Sequence, residues 1–234
     1  MARLLCVDTA TSMESLALLI DGEPWCERAM RRTRGHGPGL LDSIDQVLRD
    51  AGLTLADLDG LVCGLGPGSF TGLRVALATL KGLALAHGTP LYGQRTTRAL
   101  CAALPGQRTV ALLDARRGEI YVDGADMPIP KVMAPSALRL PPGPVTLLGD
   151  GARLHADLLR AQHPQAFIPA APALHVPRAA LLAAGLDLNH PAPLATLEPV
   201  YVRRSDAEIN YPDGFPDATV VPRQQHPRRP GETT

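Results

Sequence analysis

Gly64-Leu65-Gly66-Pro67-Gly68-Ser69-Phe70-Thr71-Gly72-Leu73-Arg74 is the stretch that decides how this chain folds. Glycines, a proline and two hydroxyls crowd into one turn, with the apolar run Leu61-Val62-Cys63 before it and Val75-Ala76-Leu77-Ala78-Thr79-Leu80 after it. The hydrophobic period changes from strand-like to helix-like inside the cluster, so a strand ends and a helix begins there. Glycine permits positive φ and close approach of neighbouring backbone. Ser69 or Thr71 is placed to cap the new helix by accepting a hydrogen bond from an otherwise unpaired amide, and amides left free there can hold an anion.

Two glycine-loop chemistries do not fit these letters. A phosphate-cradling P-loop ends in Gly-Lys followed by Ser or Thr, and the turn contains no lysine. A nucleophile elbow reads G-x-S-x-G, whereas Pro67 and Thr71 stand two residues either side of Ser69. The turn is therefore either a rigid connection or a site whose chemistry is not nucleophilic attack by Ser69.

Working outward, Arg3 to Val7 and Leu16 to Ile20 are short apolar runs, and Asp21-Gly22 is a hairpin turn leading into Glu23-Pro24-Trp25-Cys26-Glu27. The chain is predicted to open as a three-stranded meander. From Gly39, the residues Leu40, Leu41, Ile44, Val47, Leu48 and Ala51 recur at helical spacing, with Gly52 as the stop. Thr54 with Asp57 reads as a short cap, and Leu61-Val62-Cys63 as a buried parallel strand. Val110-Ala111-Leu112-Leu113-Asp114 echoes Leu4-Leu5-Cys6-Val7-Asp8, each an apolar strand ending in aspartate. Leu147-Leu148 and Leu181 to Gly185 suggest a later strand and helix. The plan is α/β, with duplicated actin-like (RNase H-like) domains whose mixed sheets are flanked by helices. Pro105-Gly106 supplies a boundary, giving domains at 1–104 and 105–205. Prolines between Asp126 and Pro144 should shorten the strands of the second copy. Residues 206–234 have no apolar period and read as a flexible tail.

The bulk composition narrows the function classes. With 234 residues and an apolar fraction of 45%, the chain can bury a real core. Aromatics are only 3%, so a long base-stacking platform is not available, and Lys+Arg 23 against Asp+Glu 23 gives no dedicated electrostatic grip on nucleic acid. Cys6, Cys26, Cys63 and Cys101 never form C-x-x-C and lie among apolar residues, which suits buried thiols in a reducing compartment. Asp8 comes too early for a secretory apolar region, and no apolar stretch approaches the ~20 residues that span a bilayer. A cytoplasmic location is expected.

Four segments in order carry a family resemblance. Gly66 to Arg74 resembles, almost letter for letter, the signature turn of the bacterial TsaB (YeaZ) family, and Leu4 to Thr11, Leu112 to Tyr121 and Pro199-Val200-Tyr201-Val202-Arg203 match in the same order. The resemblance implies a duplicated actin-like (ASKHA) fold and a non-catalytic scaffold or activating subunit, a pseudoenzyme. Its setting would be the complex that places a threonylcarbamoyl group on the adenosine next to the anticodon of certain tRNAs. The expected partners are a catalytic TsaD-like subunit, a TsaE-like P-loop ATPase and a second copy in a homodimer, with tRNA met mainly through the complex. No cofactor is expected in this chain, ATP and metal being left to the partner subunits.

The chain also carries residues with chemistry of their own. Asp8-Thr9-Ala10-Thr11-Ser12 stands where an actin-like ATPase places its phosphate hairpin, but Ala10 replaces the glycine that close approach favours, and Met13-Glu14 adds bulk and an anion. The matching turn, Arg116-Arg117-Gly118, is short and lacks hydroxyls. Asp8, Thr9 and Thr11 thus read as a vestigial nucleotide site, with an active actin-like ATPase or phosphotransferase as the competing reading. A metallopeptidase-like hydrolase is the second alternative. The catalytic relatives of the family, once described as zinc glycoproteases, carry an H-x-x-x-H pair, and none of the seven histidines here forms one. His36 reads as a surface residue near Arg34. Arg31, Arg32 and Arg34, like Arg203-Arg204, are clusters whose contact with tRNA the letters leave open.

The helices remain as the functional surface. After the turn, Gly72, Val75, Thr79, Gly82 and Ala86 make a stripe of small or β-branched residues, and Leu73, Leu77, Leu80 and Ala84 a separate apolar stripe. The leucine stripe suits the sheet of its own domain, and the small stripe admits another helix, from this chain or from a partner. The family's dimerisation surface is its first two helices, which implies an interface at Leu40, Leu41, Ile44, Val47, Leu48, Gly72, Val75, Thr79, Gly82 and Ala86.

Overall fold

Apolar runs broken by Asp21-Gly22 build an antiparallel meander of β1 (Arg3–Asp8), β2 (Met13–Ile20) and β3 (Glu23–Arg31). The structure is a computed structural model and describes residues 2–32, 39–124 and 129–203. Arg34, His36, Arg204 and the tail at 206–234 lie outside the described residues. β1 is buried on both faces, which is why it reads as a continuous apolar run rather than an alternating one.

The first helix, α1 (Leu40–Asp50), starts after Gly39, which sits at φ 91°, and ends before Gly52 at φ 67°. Leu40, Ile44, Val47 and Leu48 face the sheet and Leu41, Asp42 and Asp45 face solvent. Thr54 and Asp57 form the expected cap on a short 3-10 turn, the Thr54 amide donating to Asp57 Oδ2 at 2.8 Å. β4 (Gly60–Gly64) then runs parallel to β1, and the glycine turn launches α2 (Phe70–His87). Ser69 is the cap: its Oγ accepts from the Gly72 amide at 3.2 Å. Gly88, left-handed at φ 67°, ends the helix, and β5 (Leu91–Gln94) pairs parallel with β4. The first sheet thus has the order β3-β2-β1-β4-β5.

After the short helix α3 (Thr96–Cys101), the chain repeats itself. β6 (Thr109–Arg116), β7 (Glu119–Gly124) and β8 (Lys131–Met133) form the second antiparallel set. β9 (Val145–Leu148) and β10 (Ala166–Phe167) add in parallel, with α4 (Asp150–Leu154) and α5 (Ala156–Gln162) between them. The second order, β8-β7-β6-β9-β10, places every strand where its counterpart lies in the first sheet. This is the duplicated actin-like fold. The second copy is the shorter one where prolines fall: β8 stops at Met133, just before Pro135 opens a 3-10 turn.

The stretch from Leu181 to Gly185, read from sequence as a helix, is instead the end of a 3-10 turn (Ala179–Leu181) followed by irregular turns. Pro177 before it and Gly185 at φ 71° leave too few residues for an α-helix. Ala179, Ala180 and Leu182 pack on the face of the first sheet opposite α1 and α2, with Leu4, Cys6, Ala17 and Leu19. Leu194, Leu197 and Val200 then reach the helical face, so the segment after Val176 returns to the first half. All described residues belong to one compact unit, Met1–Arg203. No helix among them is long and apolar enough to cross a membrane.

Burial has a chemical consequence for the thiols. Cys6 and Cys63 are fully buried, and desolvation pushes Cys6 up to about 12 and Cys63 higher still, so neither forms thiolate near neutrality. With a disulfide reagent at pH 8, Cys6 and Cys63 are expected to label only after denaturant is added. Half-buried Cys26 and Cys101 are the residues to compare by mass spectrometry.

Candidate functional site

The glycine turn and the β1–β2 hairpin are locked onto each other. The Ser69 amide donates to the Ala10 carbonyl at 2.7 Å, and Thr9 Oγ1 donates to the Gly72 carbonyl at 2.8 Å. Gly68 lies so close that a Cβ there would sit 2.1 Å from the Ala10 oxygen, while a Cβ on Gly64 would meet Asp8 Oδ2 at 2.1 Å. These glycines are present because backbone and carboxylate occupy the space a side chain needs.

Asp8 and Thr9 are buried beneath this contact, at 1% and 0% exposure. Asp8 Oδ1 accepts from the Ala10 amide at 2.9 Å, and Oδ2 accepts from Thr96 Oγ1 at 2.6 Å. Thr96 Oγ1 in turn accepts from the Gly66 amide at 3.1 Å, so one hydroxyl joins the aspartate to the turn. The next residue, Thr97, donates its hydroxyl to buried Asp123 of β7, which also meets Arg95 at 3.3 Å. Two adjacent threonines on α3 therefore bond one buried aspartate in each half. These bonds tie Asp8 to the turn.

Glu14, expected to put an anion beside the hairpin, points elsewhere. Glu14 adds no charge to the hairpin tip: it is fully buried and held by Arg32 Nη2 at 2.6 Å, Arg32 Nε at 3.1 Å and Ser43 Oγ of α1 at 2.9 Å. The hydrogen bond to Glu14 raises the Arg32 pKa beyond its ordinary value. What crowds the hairpin is its own contact with the glycine turn. Asp8 and Thr9 are buried, whereas Thr11 lines a cleft of about 370 Å³ shared with Ser12, Arg31, Asp150 and Arg153.

In the second half, Asp150 at the start of α4 accepts from the amide of Asp114, the counterpart of Asp8, at 2.9 Å. Desolvation, with the nearby Asp114 charge, raises its pKa from 3.8. For a raised acid, the favourable contribution to folding is present below the unfolded pKa and lost as pH rises through the folded one. Asp150→Asn keeps the carbonyl acceptor and removes the charge. Its urea midpoint should exceed that of the parent at pH 7, with the gap narrowing as pH is lowered towards the carboxylate range.

The outer face of α2 is different in kind. Leu73, Leu77, Leu80 and Ala84 are buried against the first sheet, as the leucine stripe requires. Ala78, Gly82, Leu85 and Ala86 are exposed, Leu85 to 78%, and nothing lies within 4 Å of a Cβ placed on Gly82. Among the described residues, therefore, nothing packs on Gly82, and Ala86 stays exposed. Val75 and Thr79 are half-buried at the margin of this face. Gly72 leaves the stripe: it is buried, its carbonyl taken by Thr9.

The interface expected on α1 also contracts. Leu40, Ile44, Val47 and Leu48 are 0–4% exposed and belong to the chain's own core, because the apolar stripe of a surface helix is claimed first by its sheet. Only Leu41 of that set, 58% exposed, is open to a partner. Of the signature turn, Gly66 and Pro67 are buried, Thr71 and Arg74 exposed, and Phe70 half-exposed beneath Arg74.

Sequence reasoning gave no role to Thr96, Thr97, Asp123 or the Glu14–Arg32–Ser43 group, whose partners lie far apart along the chain. Tyr201 stood in a matched segment but without a task. Here its ring meets Phe70 at 5.2 Å between centroids, and its hydroxyl accepts from Arg74 Nε at 3.1 Å.

A twice-repeated 3-2-1-4-5 mixed sheet flanked by helices defines a duplicated actin-like α/β protein. A family model described as TsaD, tRNA N6-adenosine threonylcarbamoyltransferase, matches residues 31–127. The Escherichia coli tRNA threonylcarbamoyladenosine biosynthesis protein TsaB is 35% identical over 51% of this chain and 53% of its own length. An uncharacterized Mycobacterium tuberculosis protein is 35% identical over 87% of this chain and 93% of its length. The solved structure of YeaZ from Pseudomonas aeruginosa superposes with a TM-score of 0.72 at 27% identity, covering 86% of this chain and all (100%) of that one. The chain belongs to the TsaB (YeaZ) family.

Proposed function

We propose that this chain is a non-catalytic subunit in the synthesis of threonylcarbamoyladenosine on tRNA, docking onto a TsaD-type catalytic subunit through the outer face of α2 and the exposed edge of α1. The observation that carries this reading is the contrast between the two surfaces. The hairpin that would cradle phosphate is held against the glycine turn by Ser69 and Thr9, while Ala78, Gly82 and Leu85 form an exposed apolar face that nothing among the described residues covers. A face of small residues lets another helix approach to the 8–10 Å interaxial spacing of tight packing. The printed name of the TsaB relatives supplies the pathway, and the TsaD-type family match supplies the class of partner. A TsaE-type ATPase and self-association are further members of the same assembly in this reading, ATP and metal belonging to the partners and the tRNA met through the complex.

The test is reconstitution. Purified TsaD-type and TsaE-type subunits are mixed with tRNA, threonine, bicarbonate and Mg-ATP, with and without this chain, and modified adenosine is quantified. Modification that requires the chain, together with no ATP turnover by the chain alone, is the expected result. Turnover by the isolated chain that is lost in Asp8→Ala would overturn it in favour of an active actin-like ATPase.

A further inference from the structure

Arg74 is held both by its own helix and by a segment far along the chain. Its Nε donates to the Tyr201 hydroxyl at 3.1 Å, its guanidinium carbon lies 4.1 Å from the centroid of the Phe70 ring, and Tyr201 packs on that same ring. Tyr201 is itself pinned on both sides. The Val200 amide donates to the Leu65 carbonyl at 2.8 Å, and Arg203 Nη1 donates to the Ala115 carbonyl of β6 at 3.1 Å. A solvent-facing arginine ordinarily loses rotamer freedom on forming a contact, but this one is fixed beforehand, with its Nη nitrogens left for an outside acceptor.

The charge pattern of the helix says what that acceptor is. α2 contains no Asp or Glu, and its cations Arg74 and Lys81, seven residues apart, lie along one edge of the exposed face. Among the described residues neither has a carboxylate partner. A fixed guanidinium matches a carboxylate bidentately.

We propose that Arg74, positioned by Tyr201 and Phe70, reads a carboxylate on the TsaD-type partner. The docking helix of that partner then carries an acidic side chain opposite Arg74 and a second roughly 10 Å along, opposite Lys81, the spacing set by a 1.5 Å rise over seven residues. This rests on the docking reading above and adds to it the sign of the partner's charge. Tyr201 is a positioning residue, since it acts through the guanidinium.

The test is titration calorimetry of the full chain against the TsaD-type subunit at low and high salt. Arg74→Glu should weaken binding by about 10- to 100-fold and flatten its salt dependence, Arg74→Lys restoring part of both. Tyr201→Ala should cost roughly three- to tenfold, and Tyr201→Phe, which keeps the stack and loses the hydrogen bond, less. Gly82→Arg is the control that separates the two readings. If Arg74→Glu binds with parental affinity and salt slope while Gly82→Arg does not bind, the face is right and the charge assignment is overturned. If Gly82→Arg also binds normally, the docking reading falls first. Salt-sensitive self-association, lost in Arg74→Glu while binding to the TsaD-type subunit persists, would assign the cation to a second copy and overturn the proposal.

Discussion

Gly82→Arg is expected to abolish co-purification with a TsaD-type subunit, weakening the complex at least about 100-fold, without lowering the melting temperature of the isolated chain. The two halves of that result come from different places. In the monomer, position 82 is exposed and nothing stands within 4 Å of a new Cβ. Replacing glycine in a helix interior removes its backbone-entropy penalty, roughly 0.5–1 kcal/mol, so the free chain is no less stable. In the complex, a long cation between two close helices must either hold them apart or be buried without a partner, and an unpaired buried charge costs about 3–5 kcal/mol. At 1.4 kcal/mol per decade, that exceeds a hundredfold. Size-exclusion chromatography of the mixture and thermal melting of the chain alone check both parts.

Gly68→Ala carries the largest expected loss of stability for the smallest chemical change. The added methyl would lie 2.1 Å from the Ala10 carbonyl oxygen, a backbone atom that cannot rotate away. Relief requires the hairpin to lift off the turn, lengthening the Ser69 amide bond to Ala10 and disturbing the Thr9 bond to Gly72. Overpacking of this kind costs about 3 kcal/mol. Gly82→Ala is the matched control, with the opposite sign: a gain of roughly 0.5–1 kcal/mol, since the methyl enters open space. Urea midpoints of the two variants, measured side by side, should move in opposite directions. Equal behaviour would mean that the hairpin and turn do not touch as described.

The sequence carried the local signals well. The meander, α1 with its glycine stop, the strand-turn-helix around Gly66 and the echo of β1 in β6 all depend on neighbours in the chain, and period and turn chemistry report those directly. Short elements were missed. β5 has four residues, α4 five and β10 two, too few for a period to show. Leu181 to Gly185 failed as a helix because its leucines and alanines answer to burial on the first sheet, which propensity does not see.

The site was legible in outline and not in detail. The leucine and small-residue stripes of α2 separated as the spacing required, yet the same apolar letters in α1 could not say that Leu40, Ile44, Val47 and Leu48 belong to the chain's own core. The buried acids were harder still. Asp8 is matched to Thr96 across 88 residues, and Arg178 meets Glu27 across 151, pairings that no local pattern encodes.

Thr96 and Thr97 give α3 a hand in each sheet, one hydroxyl on Asp8 and its neighbour on Asp123. Because α3 is bonded to both halves, parting them requires at least one of these buried acid–hydroxyl bonds to break, leaving a desolvated carboxylate behind. That cost favours a wedge over a jaw: the two sheets share a hinge that is tied shut on both sides.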